Sequence, residues 1–284
     1  MSLLTTIVAE PWADWGLIDC GDGQKLERYG DIHVVRPEPQ AMWAPASDDW
    51  DPDATFVPGS DEEGGGRWVQ HRAVPRQWEL SRGNVRFAAS LTPFRHLGFF
   101  PDMAPQWDWM RERSADAEVL NLFGYTGVGT LQLSDAGARL VHVDASKKSV
   151  EQGKDNARLS HLDDRPIRWI VDDASKFTAR EVRRGRRYDG ILLDPPKFGR
   201  GPTGEVWRLE ENLAPLLTGC RQLLDRDSRF LVLTVYAVRM SALAIGELVK
   251  QTLGGSVEMG EMAVREEARG LLLPTAIFAR WSRD

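Results

Sequence analysis

The stretch Val119-Leu120-Asn121-Leu122-Phe123-Gly124-Tyr125-Thr126-Gly127-Val128-Gly129 passes from a largely apolar run into three closely spaced glycines. A short apolar run closed by glycines reads as a buried strand that feeds a tight turn and then a helix. Working outward, the same alternation continues. Helical sequence to Ala136 precedes a strand at Arg139–Val143, a helix over Lys147–Leu159 and an apolar strand at Ile167–Val171. Tyr188–Leu193 is a further buried strand, and Val206–Leu224 reads as a long helix. A strand at Phe230–Val235, a helix at Ala242–Leu253 and strands at Ser256–Met262 and Thr275–Trp281 complete the series. Upstream, Gln106–Arg113 has helical spacing with Trp107 and Met110 on its buried side. Alternating strands and helices with short connections predict an α/β fold, a mostly parallel sheet with helices on both faces.

The chain has 284 residues, 42% hydrophobic and 27% charged, which excludes a disordered protein and suits about two domains. Two cysteines, Cys20 and Cys220, exclude a disulfide scaffold and a Cys-rich zinc module. The five histidines lack metal-ligand spacing, so no metal is expected. No apolar run approaches the roughly 18 residues of a spanning helix, and the opening residues lack a basic leader region. A cytoplasmic protein with no membrane contact is the expectation. Residues 1–66 hold 14 Asp/Glu against 3 Lys/Arg, so a net charge of −6 divides into −11 there and +5 beyond. The early residues read as a small β-rich domain: Ile18–Cys20, a Gly21-Asp22-Gly23 turn, Lys25–Gly30 and Ile32–Arg36. Residues 44–66, with three prolines, seven acids and Gly64-Gly65-Gly66, read as a linker or loop. The expected division is 1–94 and 95–284.

Candidate chemistry lies at successive strand ends, where open α/β sheets bind ligands. The glycines after Phe123 let a ligand approach the backbone, in a GxxGxG spacing that differs from the dinucleotide-binding pattern. Asp144 ends the next strand and can accept from both hydroxyls of a ribose, or cap the helix that follows. Asp172-Asp173-Ala174 follows Trp169-Ile170-Val171; an acid there can meet an adenine amino group, or again serve as a cap. Asp194-Pro195-Pro196-Lys197-Phe198 follows Ile191-Leu192-Leu193. Proline has no N–H to give a sheet, so the pair ends the strand and is expected to leave free carbonyls beside the Asp194 carboxylate. The glycine-rich Gly199–Glu205 reads as a mobile substrate lid. Arg67–Arg95 interleaves six arginines with Trp68, Trp78, Phe87 and Phe94, a pattern that suits single-stranded RNA or a solvated strand face.

In this order, the motifs resemble class I S-adenosylmethionine-dependent methyltransferases, most closely the bacterial 23S ribosomal RNA large-subunit methyltransferases. Gly98-Phe99-Phe100-Pro101-Asp102 is similar to that family's segment over the cofactor's methionine part, and Gly21–Gly30 resembles a small β-domain found beside such cores. The resemblance implies a Rossmann-like seven-stranded sheet, S-adenosylmethionine as cofactor and RNA, ribosomal RNA foremost, as partner. It implies cofactor contacts from Phe99, Asp102, Asn121, Phe123, Gly124, Tyr125, Thr126, Gly127, Asp144, Asp173 and Ala174. It implies a catalytic role for Asp194, Pro195, Pro196 and Lys197 near the transferable methyl. Members that methylate cytosine C5 attack with a cysteine on the strand after the Asp-Pro-Pro helix. Phe230–Tyr236 has none, which implies direct transfer without a covalent adduct. Met103-Ala104 stands where the family commonly has Gln-Arg.

Two other functions fit the residues. A methyltransferase of a small molecule or a protein side chain suits the acidic N-terminal segment. A cofactor- or RNA-binding protein without catalysis is the other, though it has no need of the Asp-Pro-Pro loop.

Overall fold

The computed structural model describes residues 4–59, 65–236 and 240–283, so residues 60–64 of the expected linker lie outside the described residues. Strand β1 (Thr5–Ala9) is followed by β2 (Trp15–Gly21), β3 (Gln24–Tyr29), β4 (Ile32–Pro37), β5 (Ala54–Pro58) and β6 (Gly66–Gln70). After β7 (Trp78–Arg82) and β8 (Val85–Ala89) come α1 (Ala104–Arg111), β9 (Glu118–Leu122), α2 (Val128–Asp135) and β10 (Arg139–Asp144). Next are α3 (Lys147–Leu159), β11 (Ile167–Val171), α4 (Ala174–Arg183) and β12 (Gly190–Leu193). A short pair, β13 (Phe198–Arg200) and β14 (Val206–Arg208), precedes α5 (Leu209–Gln222). The last elements are β15 (Phe230–Tyr236), α6 (Ala242–Leu253), β16 (Ser256–Arg265) and β17 (Leu272–Ser282). No helix among the described residues is long and apolar enough to cross a membrane.

The chain forms two compact units that interleave along the sequence. The larger takes Ala104–Met262 with the strand residues up to Ile7 and from Thr275; the smaller takes Val8–Met103 with Ala263–Pro274. This differs from the contiguous 1–94 and 95–284 expected from sequence, and hydrogen bonding is the reason. The Glu267 N–H donates to Leu17 O at 2.8 Å, and Glu266 Oε1 accepts from Cys20 N at 2.9 Å, which fasten Ala263–Pro274 to β2.

The larger unit holds an eight-stranded sheet in the order β1-β16-β17-β15-β12-β9-β10-β11. From β15 to β11 the pairings are parallel, while β17 runs antiparallel to β15. Seven of these strands match the expected sheet; β1 adds an eighth at the edge. Gly260 permits it, because a Cβ there would lie 1.7 Å from Thr5 O. Leu120, Leu122, Val141, Val143, Ile191, Leu193, Leu231 and Leu233 alternate onto one face, packed on Phe177, Leu213, Leu217, Cys220, Ile245 and Val249 from α4, α5 and α6. Strands that are apolar on both faces are what a sheet covered by helices requires.

One expectation within this unit is corrected. Val206-Trp207-Arg208 is a strand, not the start of the α5 helix, because it pairs with Phe198-Gly199-Arg200 in the register Phe198↔Arg208, Gly199↔Trp207 and Arg200↔Val206. Gly199–Glu205 is therefore part of a hairpin, and Lys176 on α4 forms an ion pair with Glu205 in its turn.

The smaller unit contains a five-stranded sheet, β2-β3-β4-β5-β6, and the β7–β8 hairpin. Asp22 at φ 50 and Gly23 at φ 75 make the left-handed turn that the right-handed twist of β2 and β3 favours. Its tryptophans are structural. The indole N–H groups of Trp12, Trp43, Trp68 and Trp78 donate to main-chain carbonyls of Ser81, Cys20, Thr92 and Tyr29 at 2.7–3.0 Å. Trp50 donates to Asp19 at 2.8 Å. Of the aromatics in Arg67–Arg95, Phe87 is fully buried and only Phe94 is exposed, so most of that pattern serves packing.

At its centre Arg36 Nε donates to Glu27 Oε2 at 2.7 Å and Arg36 Nη2 to Tyr29 Oη at 2.8 Å, all three side chains being buried. Burial pushes the Glu27 carboxyl up, but Arg36 and Lys25 outweigh it and hold it below its ordinary value. Removing one member strands a buried charge. Arg36→Met is expected to cost about 3–5 kcal/mol in urea unfolding, and Arg36→Met with Glu27→Leu to recover most of it. Equal losses in the single and double variants would show that the pair, not the stranded charge, sets the stability.

Candidate functional site

β9 does not end in a relaxed turn. Phe123 at φ 60, Tyr125 at φ 49 and Gly127 at φ 78 are all left-handed, and two of the three carry side chains. Each such non-glycine residue costs of order 1–3 kcal/mol unless its surroundings hold it. Several bonds do so. Gly124 N–H donates to Val143 O at 3.0 Å, Tyr125 N–H to Asp144 Oδ2 at 2.9 Å and Gly127 N–H to Gly124 O at 3.0 Å. Asn156 Nδ2 on α3 donates to Thr126 O at 2.9 Å.

Beneath the turn lies a polar and aromatic floor. Asn121 Nδ2 donates to Thr130 Oγ1 at 2.9 Å, and that hydroxyl meets His142 Nδ1 at 2.9 Å. His142 packs against Trp169 with ring centroids 4.6 Å apart. The turn presses so close that a Cβ on Gly124 would stand 2.4 Å from His142 Cε1, and one on Gly153 2.6 Å from the Trp169 ring. Burial drives His142 down to about 3, so the imidazole is neutral.

Above the turn, α2 begins at Val128 with Gly127 at its cap position and no capping side chain. Gly127 thus offers its first N–H groups no side-chain acceptor, a setting that favours an anionic group. Asp144 accepts from Tyr125 N–H with one oxygen and from Ser146 N–H, at 2.8 Å, with the other. Burial raises its pKa, and the two N–H bonds oppose that. Each oxygen keeps a further lone pair. Asp144 is thus a brace for the turn, while Ser146 caps α3.

At the end of β11, Asp172 forms an ion pair with Arg180, and Asp173 caps α4 through Lys176 N–H at 2.9 Å. Ala174 opens that helix and is buried. Asp172 N–H donates to Asp144 O at 3.1 Å, which keeps this strand end beside the first turn.

Asp194, half-buried, follows β12; Pro195 is buried, and Pro196 and Lys197 are exposed. Leu193 lies opposite Leu122 in register, so Asp194 and Phe123 leave adjacent strands side by side. The carbonyls are not as free as expected. Pro196 O accepts from Trp207 Nε1 at 2.7 Å and Lys197 O from Leu209 N at 3.0 Å. The Trp207 ring also packs on Phe123, centroids 4.8 Å apart. Asn121, Phe123, Gly124, Tyr125, Thr126, Gly127 and Asp144 thus form one cluster, with Asp194–Lys197 tied to it through Trp207. Phe99 and Asp102 lie in the smaller unit, where Phe99 packs on Phe87 at 4.6 Å and Tyr29 at 5.8 Å and Asp102 sits in a buried single-turn helix.

Trp207, Thr130, His142, Asn156 and Trp169 were not candidates from sequence. For Trp207 a signal exists, since two three-residue runs flank Gly201-Pro202-Thr203-Gly204 as a hairpin would. The others are buried supports with no local signature. Among the described residues no group of three or more His, Cys, Asp or Glu is placed to hold a metal ion.

Comparison with known proteins adds to this geometry. The sequence profile of the S-adenosylmethionine-dependent methyltransferases matches residues 61–225. A crystal structure of an S-adenosylmethionine-dependent methyltransferase from Agrobacterium tumefaciens is 44% identical, with a TM-score of 0.94, over 99% of this chain and 94% of that one. Ribosomal RNA large subunit methyltransferase I of Tolumonas auensis is 33% identical over 142 residues, 50% of this chain and 33% of the relative. Ribosomal RNA large subunit methyltransferase K/L of Syntrophotalea carbinolica is 31% identical over 131 residues, 46% and 18% respectively. The matches to these two curated relatives thus span a third of their length or less.

The neutral His142 has a consequence for acid stability. Burial holds it at about 3, and burial with Arg36 and Arg95 holds His96 at about 4, against about 6.5 when unfolded. Between those values the unfolded chain binds protons that the folded chain refuses. Stability therefore falls as pH drops below about 6.5, by up to about 1.4 kcal/mol per pH unit for each histidine. His142→Asn should remove one such share from the slope of urea midpoints measured between pH 7 and 5. An unchanged slope would assign the acid sensitivity to other groups.

Proposed function

Because the chain belongs to the S-adenosylmethionine-dependent methyltransferase family, we propose that it transfers the cofactor's methyl group to RNA, ribosomal RNA foremost, in the cytoplasm and without a covalent intermediate. The observation that carries this reading is the side-by-side exit of Phe123 and Asp194 from paired strands, with the uncapped start of α2 behind them.

The residues present suit the cofactor. The open N–H groups of α2 fit the carboxylate of its methionine part, and the buried Asn121 Oδ1, which has no partner, is an acceptor to spare. Phe123, Gly124, Tyr125, Thr126 and Gly127 would line the methionine and ribose. Asp144 would take the ribose hydroxyls with its remaining lone pairs, and the Asp173-Ala174 turn would meet the adenine. When bound, S-adenosylmethionine supplies an activated methyl carbon on a sulfonium. The chain's own task is alignment. Asp194, with the Pro195 carbonyl, would orient the acceptor group and take up its proton; Lys197 would hold the acceptor from the exposed side.

The absence of a covalent adduct is supported by both cysteines. Cys20 donates to Glu266 Oε1, Cys220 is sealed in the core of α5, and burial pushes each thiol up to about 12. Neither can be a thiolate nucleophile at neutral pH. For RNA, the hairpin beside Asp194 presents Lys197, Phe198, Arg200 and Arg208 to solvent, cations with an aromatic ring as RNA-binding surfaces have. The names of the two curated relatives point the same way. A small-molecule or protein acceptor is the second reading, favoured by the −11 charge of residues 1–66.

Mass spectrometry of ribosomal RNA nucleosides from a strain lacking the protein decides between the two. A missing methylated nucleoside supports RNA, and an unchanged profile favours the other acceptors. On the enzyme itself, Asp194→Ala should lower the single-turnover rate about 100-fold with little change in S-adenosylhomocysteine affinity. A rate within a few-fold of wild type would remove Asp194 from the chemistry. Asp144→Ala should weaken S-adenosylhomocysteine by about 1–3 kcal/mol in calorimetry. Cys20→Ala and Cys220→Ala should retain turnover per folded molecule, and loss of activity in either would overturn direct transfer.

A further inference from the structure

We propose that Trp207 is a positioning residue that couples the cofactor turn to the acceptor loop. The inference rests on the reading that the cofactor lies along Phe123–Gly127 and the acceptor at Asp194–Lys197. Trp207 is 4% exposed, yet it sits on a strand of only three residues whose neighbours Val206 and Arg208 are exposed. A short hairpin on its own is marginal, so burial of this side chain helps to seat it.

One side chain thus makes two different contacts. The indole N–H holds Pro196 O at 2.7 Å, fixing the carbonyl at the tip of the Asp-Pro-Pro loop. The ring lies 4.8 Å from Phe123 at an interplanar angle of 58°, against the first left-handed residue of the turn. A shift of Phe123 would disturb its contact with the indole, and a shift of the indole would loosen the bond to Pro196. The hairpin's far end is anchored separately, through Lys176 and Glu205, to the helix that Asp173 caps. A ligand that orders Phe123 therefore also sets the loop that carries Asp194. In-line methyl transfer is sensitive to that placement, because small displacements of aligned groups cost large factors in rate.

Hydrogen exchange on the full chain, with and without saturating S-adenosylhomocysteine, tests the coupling. In wild type, the ligand should slow exchange both at 123–127 and at 194–208. Trp207→Phe keeps a ring against Phe123 but deletes the N–H. It should bind S-adenosylhomocysteine within about threefold of wild type, lose the slowing at 194–208, and transfer methyl to ribosomal RNA at least about tenfold more slowly in a single turnover. Trp281→Phe, a buried tryptophan on β17, controls for loss of packing and should keep the slowing at 194–208. Slowing at 194–208 that survives in Trp207→Phe overturns the proposal, as does a wild type protected at 123–127 alone. A wild type that does not bind S-adenosylhomocysteine refutes the cofactor reading and this proposal with it. Binding with protection but no RNA methylation refutes only the RNA acceptor.

Discussion

A strand that ends in left-handed residues has to be held from outside, and the bond from Tyr125 N–H to Asp144 Oδ2 is the hold on which this site depends. Without it, Phe123 and Tyr125 would relax toward the ordinary side of φ, and the first N–H groups of α2 would no longer line up behind the turn. The other features follow from keeping that turn flush. Gly124 and Gly153 are small because His142 and Trp169 occupy the space a side chain would need. His142, buried beneath the turn, is neutral. Asn156 reaches across from α3 to take the Thr126 carbonyl.

The same geometry shows how one carboxylate serves two ends. Asp144 gives each oxygen to one backbone N–H and still has acceptor capacity in hand. A group that is already oriented by the fold loses little freedom when a ligand arrives, which is the physical basis of preorganisation. Asp173 is held in the same manner, by the helix it caps. The smaller unit applies a related economy to Trp68 and Trp78, whose apolar rings fill space while their N–H groups satisfy main-chain carbonyls.

Much of this was legible in the sequence. The apolar runs at Val119–Leu122 and Ile191–Leu193 identify central strands because both faces are buried, and a glycine or a proline pair marks where each one ends. The strand-end acids were visible for the same reason. What the sequence did not disclose depends on partners far along the chain. The β1 strand has no pattern of its own that separates it from the small unit; its partner is some 250 residues away, as residues 5–9 sit beside 256–265. The Pro196 carbonyl looked free because proline arguments concern the sheet; the hairpin signal around Gly201–Gly204 was there to read, but not that its indole would take this carbonyl.

The β1–β16 pairing has a consequence in time as well as in space. During synthesis β1 is made well before the edge it joins, whose residues come some 250 positions later. Until then β1 is an unpaired strand, the kind of segment that seeks any available edge. The parallel centre β9-β10-β11-β12 can assemble while translation continues, whereas closure at β1 has to wait for β16. A ribosome stalled before residue 256 would therefore hold a nascent chain with its central sheet formed and its first strand still exposed to chaperones.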